Sequence, residues 1–357
     1  MGARRVTGWY DFAAPLLRKL EPEAAHAVTL YALKRGLVPQ LRLNPDPILA
    51  QNLWGLHFPN PVGLAAGFDK NAEVADAMLR LGFGFVEIGS VTPRPQSGNP
   101  RPRVFRLPDD EAIINRLGFN SDGFEAVAAR LEPREREGVV GINLGKNRDT
   151  ADAADDYAKG AGALAQYADY IVCNISSPNT PGLRALQGLA ALGDLVTRVQ
   201  LVLVALGLRR QPPLLLKIAP DLTPEQLREI SSLALERGVA GLIVSNTTLA
   251  RPADLKSPHR SETGGLSGRP LFAASTEALR QVFRSTGGKL TLIGVGGISS
   301  GADAYAKVRA GASLVQLYTA LVYRGPGLVV EICRDLAARL RGDGFGHISE
   351  AIGTDAR

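Results

Sequence analysis

Eight short apolar runs, separated by polar or helix-forming stretches, restrict the fold of this chain more than any other feature. They are Val62–Gly67, Phe85–Ser90, Val140–Gly145, Tyr170–Ser176, Leu214–Ala219, Gly241–Asn246, Leu290–Gly297 and Ser313–Ala320. Each is followed by glycines or polar residues, and most by a segment of helical periodicity such as Pro224–Gly238 or Gly301–Ala310. Eight buried strands alternating with helices, over the roughly 250 residues such a fold needs, predict an α/β protein of the (β/α)8 type, a TIM barrel. The competing arrangement is an open doubly wound sheet, but the first strand lacks the GxGxxG turn and the ribose-binding acid of that fold.

The composition suits a single large core. At 357 residues, with 45% apolar and 21% charged residues, the chain is neither disordered nor short of burial. Residues 43–341 are assigned to the barrel, 1–42 to an N-terminal two-helix extension and 342–357 to a loose tail. Cys173 and Cys333 make no disulfide framework and suit a reducing compartment. His26, His57, His259 and His347 have no metal-ligand spacing, so no metal site is expected.

In the extension, Trp9, Phe12, Leu16, Leu17 and Leu20 recur at helical spacing. Pro22 opens a second helix carrying Val28, Leu30, Tyr31 and Leu33, and Gly36 closes it. Neither helix approaches the roughly 20 apolar residues that span a bilayer, and no signal-peptide cleavage pattern follows. Arg4, Arg5, Arg18, Lys19, Lys34 and Arg35 outnumber Asp11, Glu21 and Glu23. Two placements fit equally: a helical pair lying on an anionic membrane surface, or a pair capping the bottom of the barrel. The net charge of +6 also allows nucleic-acid binding, but no basic stripe carries interleaved aromatics outside this segment, so no nucleic-acid partner is expected.

The chemistry lies at the strand ends. Asp169-Tyr170-Ile171-Val172 runs into Cys173-Asn174-Ile175-Ser176-Ser177-Pro178-Asn179-Thr180-Pro181-Gly182-Leu183, and Pro178 must end the strand. Hydroxyls and amides are thereby displayed where α/β folds hold their ligands. No His or Asp adjoins Ser177, so it is a poor hydrolytic nucleophile that can still accept a proton if something else drives the reaction. After the first strand, Ala65-Ala66-Gly67 leaves room for a flat ligand against the backbone, or for tight strand packing, and Lys70 follows as an anion partner. Lys217 interrupts the apolar run Leu214–Ala219 and needs a partner inside the barrel, either an anionic ligand such as a reduced flavin or a structural acid, for which Glu87 is the available residue. Asn143, Asn174 and Asn246 end three strands despite the poor strand propensity of amides, and with Asn115, Asn120 and Asn179 they suit a planar heterocycle with alternating N–H and C=O groups. Gly294–Gly297, Gly264–Gly268 and the run through Tyr318 and Thr319 lie where late barrel loops bind phosphate. The insertion Thr92–Pro108, with Arg94, Arg101, Arg103 and Arg106, is long enough to be a functional arm or a rigid solvated one.

Taken together, Ala65–Asn71, Asn115–Asn120, Asn174–Arg184, Ser245–Thr248, Gly264–Pro270 and Val295–Gly301 resemble the quinone-dependent, membrane-associated class 2 dihydroorotate dehydrogenases, from about Pro22 to Tyr323. The resemblance implies an FMN enzyme of pyrimidine synthesis that oxidises dihydroorotate to orotate and passes the electrons to a membrane quinone. It implies Ser177 as the base for the C5 proton while hydride leaves C6 for flavin N5; the soluble class uses cysteine. It implies substrate contacts from Lys70, Asn115, Arg116, Leu117, Gly118, Phe119, Asn174, Asn179, Asn246 and Thr247. Flavin contacts are implied for Ala65, Ala66, Gly67, Phe68, Asp69, Ser90, Asn143, Asn174, Lys217, Ser245, Gly268, Gly297, Tyr318 and Thr319, with Ser90 and Ser245 standing where threonine is common. His26, Arg106 and Tyr318 resemble quinone-tunnel residues. A peripheral place on the cytoplasmic side of the cell membrane is implied, and no obligate protein partner is expected. Three other readings stay open: the soluble class using fumarate or NAD, another FMN barrel with a different carbonyl substrate, and a non-catalytic flavin carrier.

Overall fold

The computed structural model describes residues 8–41 and 44–356. Arg4 and Arg5, and the side chains of Trp9, Asp11 and Phe12, lie outside the described residues. The chain opens with α1 (Gly8–Lys19) and α2 (Pro22–Lys34). The Glu21 carboxylate starts α2 by accepting from the amides of Glu23 and Ala24 at 2.9 and 3.0 Å, groups a helix start otherwise leaves bare. A hairpin of β1 (Gln51–Leu53) and β2 (Leu56–Phe58) follows. Then come β3 (Val62–Leu64), α3 (Ala75–Leu79), β4 (Phe85–Val91), the antiparallel pair β5 (Val104–Leu107) and β6 (Ala112–Asn115), and α4 (Phe124–Leu131). The middle of the chain holds β7 (Val139–Leu144), α5 (Ala153–Leu164), β8 (Tyr170–Asn174), α6 (Leu189–Ala205), β9 (Leu214–Ile218) and α7 (Pro224–Glu236). Next are β10 (Gly241–Val244), β11 (Gly265–Gly268), α8 (Phe272–Thr286), β12 (Thr291–Val295), α9 (Gly301–Arg309) and β13 (Leu314–Leu317). The chain finishes with α10 (Thr319–Arg324), α11 (Leu328–Gly342) and α12 (Ile348–Ala351).

Strands β3, β4, β7, β8, β9, β10, β12 and β13 pair in parallel, each with the next, and β13 returns to β3. The expected eight-stranded barrel is therefore closed and leaves no free edge. Each of the eight apolar runs falls on one of these strands, with β4 and β7 reaching one residue beyond their runs at Val91 and Val139, and most of the runs overshoot where small or polar residues leave the sheet, as at Ala65–Gly67. Outside the barrel, β5, β6 and β11 form a three-stranded antiparallel arm, so the long insertion has its own hydrogen-bonded frame.

Alternation along the strands divides the core. On β4, Val86 and Ile88 pack outward with the helices, while Phe85 packs inward with Tyr170, Leu215, Ile243, Ile293 and Leu314. Gly141 on β7 has no room for a side chain, because an added Cβ would fall on the Tyr170 ring. The β1–β2 hairpin plugs the lower end: Phe58 meets Phe85 edge-on at 5.4 Å, and Trp54 donates to the Ala240 carbonyl at 3.0 Å. Burying each such large apolar side chain contributes about 1.5–3 kcal/mol.

That plug decides one of the open placements. With the hairpin below, α1 and α2 sit at the opposite end, over the carboxyl ends of the strands, where His26 on α2 meets Phe68 at 5.1 Å. Among the described residues no helix is long and apolar enough to cross a membrane.

The expected loose tail at 342–357 is corrected. Ile348, Ala351 and Ala356 are buried. The amides of Gly353 and Asp355 donate to the carbonyls of Val308 and Arg309 at 3.0 and 2.9 Å, and Arg309 pairs with Asp355. The polar, glycine-rich composition hid a segment that packs on α9 and also reaches α8, where Arg284 donates to the Ala356 carbonyl at 2.8 Å. Ile348→Ala is expected to cost about 2–4 kcal/mol, read as a lower urea midpoint; an unchanged midpoint would show that the tail does not contribute to the core.

Candidate functional site

A cavity of about 740 Å³ opens between the carboxyl ends of the strands, the β5–β6–β11 arm and the α1–α2 pair. Its floor is polar. Glu87, inward on β4 and fully buried, accepts from Asn143 Nδ2 at 2.8 Å, Gln316 Nε2 at 2.7 Å, and Lys217 Nζ and the Tyr170 hydroxyl at 3.5 Å. Five strands thus meet at one carboxylate. Glu87 is the structural acid that meets Lys217, yet 3.5 Å is long for a charge-assisted contact, and Lys217 also lines the cavity. Burial and Glu87 together hold the Tyr170 hydroxyl well above its usual pKa.

Above the floor runs a one-way chain of donors. Asn246 Nδ2 donates to Asn174 Oδ1 at 3.2 Å, Asn174 Nδ2 to Ser90 Oγ at 2.9 Å, Ser90 Oγ to Asn143 Oδ1, and Asn143 Nδ2 to Glu87. The three asparagines at equivalent strand ends are therefore wired to each other and to the acid. Such a buried network is rigid because every break would strand a polar atom.

Ser177 stands on the loop after β8, nearly buried, with its Oγ accepting from the Asn179 amide at 3.3 Å. Arg184 fixes this loop from behind: Nε donates to the Ser176 carbonyl at 3.1 Å, one terminal nitrogen to Asp221 at 2.8 Å and the other to the Thr247 carbonyl at 3.2 Å. One guanidinium thus joins the loops after β8, β9 and β10. A second guanidinium reaches in from the arm. Buried Arg103 grips Glu23 of α2 at 2.9–3.1 Å and donates to the carbonyls of Ser97 and Asn99. Asn99 Nδ2 donates to the Asn179 carbonyl at 3.2 Å.

Lys70 projects into the same cavity and donates to the Gly67 carbonyl at 2.8 Å. Removal from bulk water lowers its pKa to about 8, with Arg103 adding to the fall and Glu23 opposing it. Nearer the helix pair the wall is apolar, and the half-buried His26 imidazole has its pKa lowered to about 3, by burial first and then by Lys70. Arg106 closes this side by donating to the carbonyls of Arg18 and Leu20, both at 2.9 Å. On the far wall, Ser245, Gly268, Gly296, Gly297, Tyr318 and Thr319 come together. Gly297, at φ 76°, could carry no Cβ, which would lie 2.5 Å from that of Phe272.

Of the residues expected at a site, three do not reach the cavity wall. Asp69 turns its carboxylate to the amides of Glu73 and Val74 at 2.8 and 2.9 Å, ending the β3 loop as a cap. Asn143 lies one layer below, behind Ser90. Arg116 points outward over the Phe105 ring to Glu262 at 2.7 Å. Lys70, Asn115, Leu117, Gly118, Phe119, Asn174, Ser177, Asn179, Asn246 and Thr247 line the cavity, as do Ala65, Ala66, Gly67, Phe68, Ser90 and Lys217. Sequence reasoning left Gln316, Arg184 and Glu23 aside. Gln316 had a readable signal, a polar residue in an apolar strand; the two others depend on partners distant in sequence.

A family model for dihydroorotate dehydrogenase matches residues 48–340. A Rhodospirillum rubrum protein named dihydroorotate dehydrogenase (quinone) is 58% identical over 352 residues, which cover 99% of this chain and 96% of that one. The mitochondrial mouse protein of the same name is 50% identical, with 97% and 90% covered. A crystal structure of the dihydroorotate dehydrogenase of Eimeria tenella with ferulenol matches with a TM-score of 0.92 at 46% identity, covering 94% of this chain and 96% of that one.

The polar floor can be tested on its own. Glu87→Gln leaves the Lys217 ammonium buried without its acid and is expected to destabilise the fold by about 3–5 kcal/mol. Adding Lys217→Met should restore most of that loss in a double-mutant denaturation cycle; strict additivity of the two changes would mean that the pair is not coupled.

Proposed function

Since this chain belongs to the dihydroorotate dehydrogenase family, is similar throughout to its quinone-dependent members and is an oxidoreductase of that kind, we propose that it oxidises dihydroorotate to orotate with bound FMN and a membrane quinone, within pyrimidine synthesis. The observation that carries this reading is the meeting, in one cavity, of the Ser177 loop with an incompletely paired Lys217.

The residues present fit FMN. Ala65, Ala66 and Gly67 give a wall without bulky side chains, and the amides around Gly268, Gly297, Tyr318 and Thr319 give a phosphate site without room for larger residues. Among the described residues the buried Gln316 Oε1 has no hydrogen-bond partner, as expected where a ligand donor is to be received. Ser90, Asn174, Lys217 and Ser245 would hold the ring, with Asn143 acting from behind Ser90. FMN bound there supplies what no side chain can, a two-electron acceptor that takes hydride from C6 of dihydroorotate and yields the pair to a quinone.

The chain's own residues do the rest. Lys70 holds the substrate carboxylate, and Asn115, Asn179 and Thr247 border its ring. Ser177 Oγ takes the C5 proton while its own hydroxyl proton passes on to water in the cavity. Serine is a weak base, so the Asn179 amide donating to Oγ and the clamp of Arg184 matter: one steadies negative charge on the oxygen, the other fixes its position. Lys217 keeps positive charge beside the site as electrons arrive. The apolar wall with a neutral His26, Arg106 and Tyr318 suits a quinone. Leu16, Tyr31 and Leu37 are more than half exposed on and beside the helix pair, next to exposed Lys19 and Arg35, which fits attachment to an anionic membrane surface on its cytoplasmic face.

The test is direct. Purified protein should be yellow, bleach with dihydroorotate under anaerobic conditions and regain colour with a ubiquinone analogue but not with fumarate. Colourless protein that stays inert with added FMN would overturn the reading. Ser177→Ala should keep flavin and orotate binding while turnover falls roughly a hundredfold or more; full turnover would exclude Ser177 as the base.

Lys70 sets a pH dependence. The ligand-free ammonium titrates at about 8, and a bound carboxylate raises that value. Orotate affinity should therefore be greatest below about pH 8 and fall above it, by up to about tenfold per pH unit. Flavin-absorbance titrations of wild type and Lys70→Met check this: the variant should bind weakly with no such decline, and an unchanged decline would assign the titration elsewhere.

A further inference from the structure

Lys307, on α9, is fully buried, and among the described residues its side chain meets no carboxylate within ion-pairing distance. Its Nζ donates to Ser275 Oγ at 2.6 Å and stands 5.2 Å from the centre of the Phe272 ring. Both neighbours shape the glycine turn on the far wall of the cavity. Ser275 Oγ lies 3.1 Å from the carbonyl oxygens of Gly296 and Phe272, and Phe272 is the residue that leaves Gly297 no room for a Cβ.

A buried amine with a hydroxyl as its partner is costly, since burial disfavours the ammonium and no fixed anion offsets the loss. Loss of water pushes the Lys307 pKa well below its ordinary value, with Asp303 opposing weakly. A methionine would fill the same space without that cost. Through Ser275 the amine stands directly behind a turn that lines the cavity.

We propose that Lys307 is the distal counter-charge for the cofactor phosphate, seated behind the Gly296–Gly297 turn, and that it makes the site select FMN over the phosphate-free riboflavin. This rests on the FMN reading above. Lys307 touches neither flavin nor substrate; it is a positioning residue that acts through Ser275 and the turn.

The experiment uses the full-length holoenzyme as purified. Dilution into flavin-free buffer releases flavin, and the return of flavin fluorescence gives the FMN release rate. Protein exchanged by dialysis against excess riboflavin gives the riboflavin rate. Lys307→Met should release FMN roughly ten- to hundredfold faster while riboflavin release is unchanged. Ser275→Ala, which removes the bridging hydroxyl, should shift the same ratio in the same direction, and it decides the matter if Lys307→Met fails to fold. Release of FMN at the wild-type rate, or equal acceleration of both flavins, overturns the proposal and leaves Lys307 a packing residue. A wild-type protein that holds neither flavin overturns the cofactor reading, and this inference with it.

Discussion

The carboxylate of Glu87 is the constraint on which the upper half of the barrel depends. An acid inside a closed sheet is tolerable only where donors surround it, and β7, β8, β9 and β13 each supply one. The lower half is filled by aromatic and aliphatic side chains and sealed by a hairpin, so the polar layer has a dry support beneath it. Because the asparagine chain ends on Glu87, the orientation of each amide follows from the next one down. The rim of the cavity is thus ordered from its floor rather than by the loops that overhang it.

A run of hydrogen bonds likewise links the helix pair to the Ser177 loop. Glu23 on α2 holds Arg103; Arg103 holds the backbone around Asn99; Asn99 holds the Asn179 carbonyl; and the Asn179 amide meets Ser177 Oγ. Each link is a hydrogen bond between groups that are at least partly buried. Placement of α2 and placement of the serine are therefore parts of one hydrogen-bonded assembly, and Arg184 supplies an independent hold from the other side.

How much of this could be read from sequence follows from the range of each interaction. The eight strands were legible because burial on both faces writes a continuous apolar run, and the serine loop because Pro178 cannot continue a strand, although β8 ends earlier, at Asn174. Lys217 and Glu87 stood out as charges inside such runs, although their separation was not readable. Asp69 and Arg116 lie in the expected motifs, but their side chains answer to local partners, the Glu73 and Val74 amides in one case and the Phe105 ring and Glu262 in the other. The amphipathic pattern of the helix pair fits a membrane surface or the barrel bottom, and the eight-residue hairpin Gln51–Phe58 occupies the bottom. The tail was misread because a few buried apolar side chains, spaced among glycines and charges, leave no periodic signal.

Charge is not spread evenly along the cavity wall, and Lys70 and His26 show how the difference is arranged. Lys70 keeps a pKa of about 8 and is largely charged near neutral pH, whereas His26, a short distance along the wall, titrates at about 3 and stays neutral. Burial is the larger cause for the imidazole, and the Lys70 charge adds to it. The Lys70 charge thus also disfavours a second cation at His26. A carboxylate at Lys70 would cancel part of that field, but desolvation, the larger cause, still disfavours imidazolium, so His26 stays neutral either way.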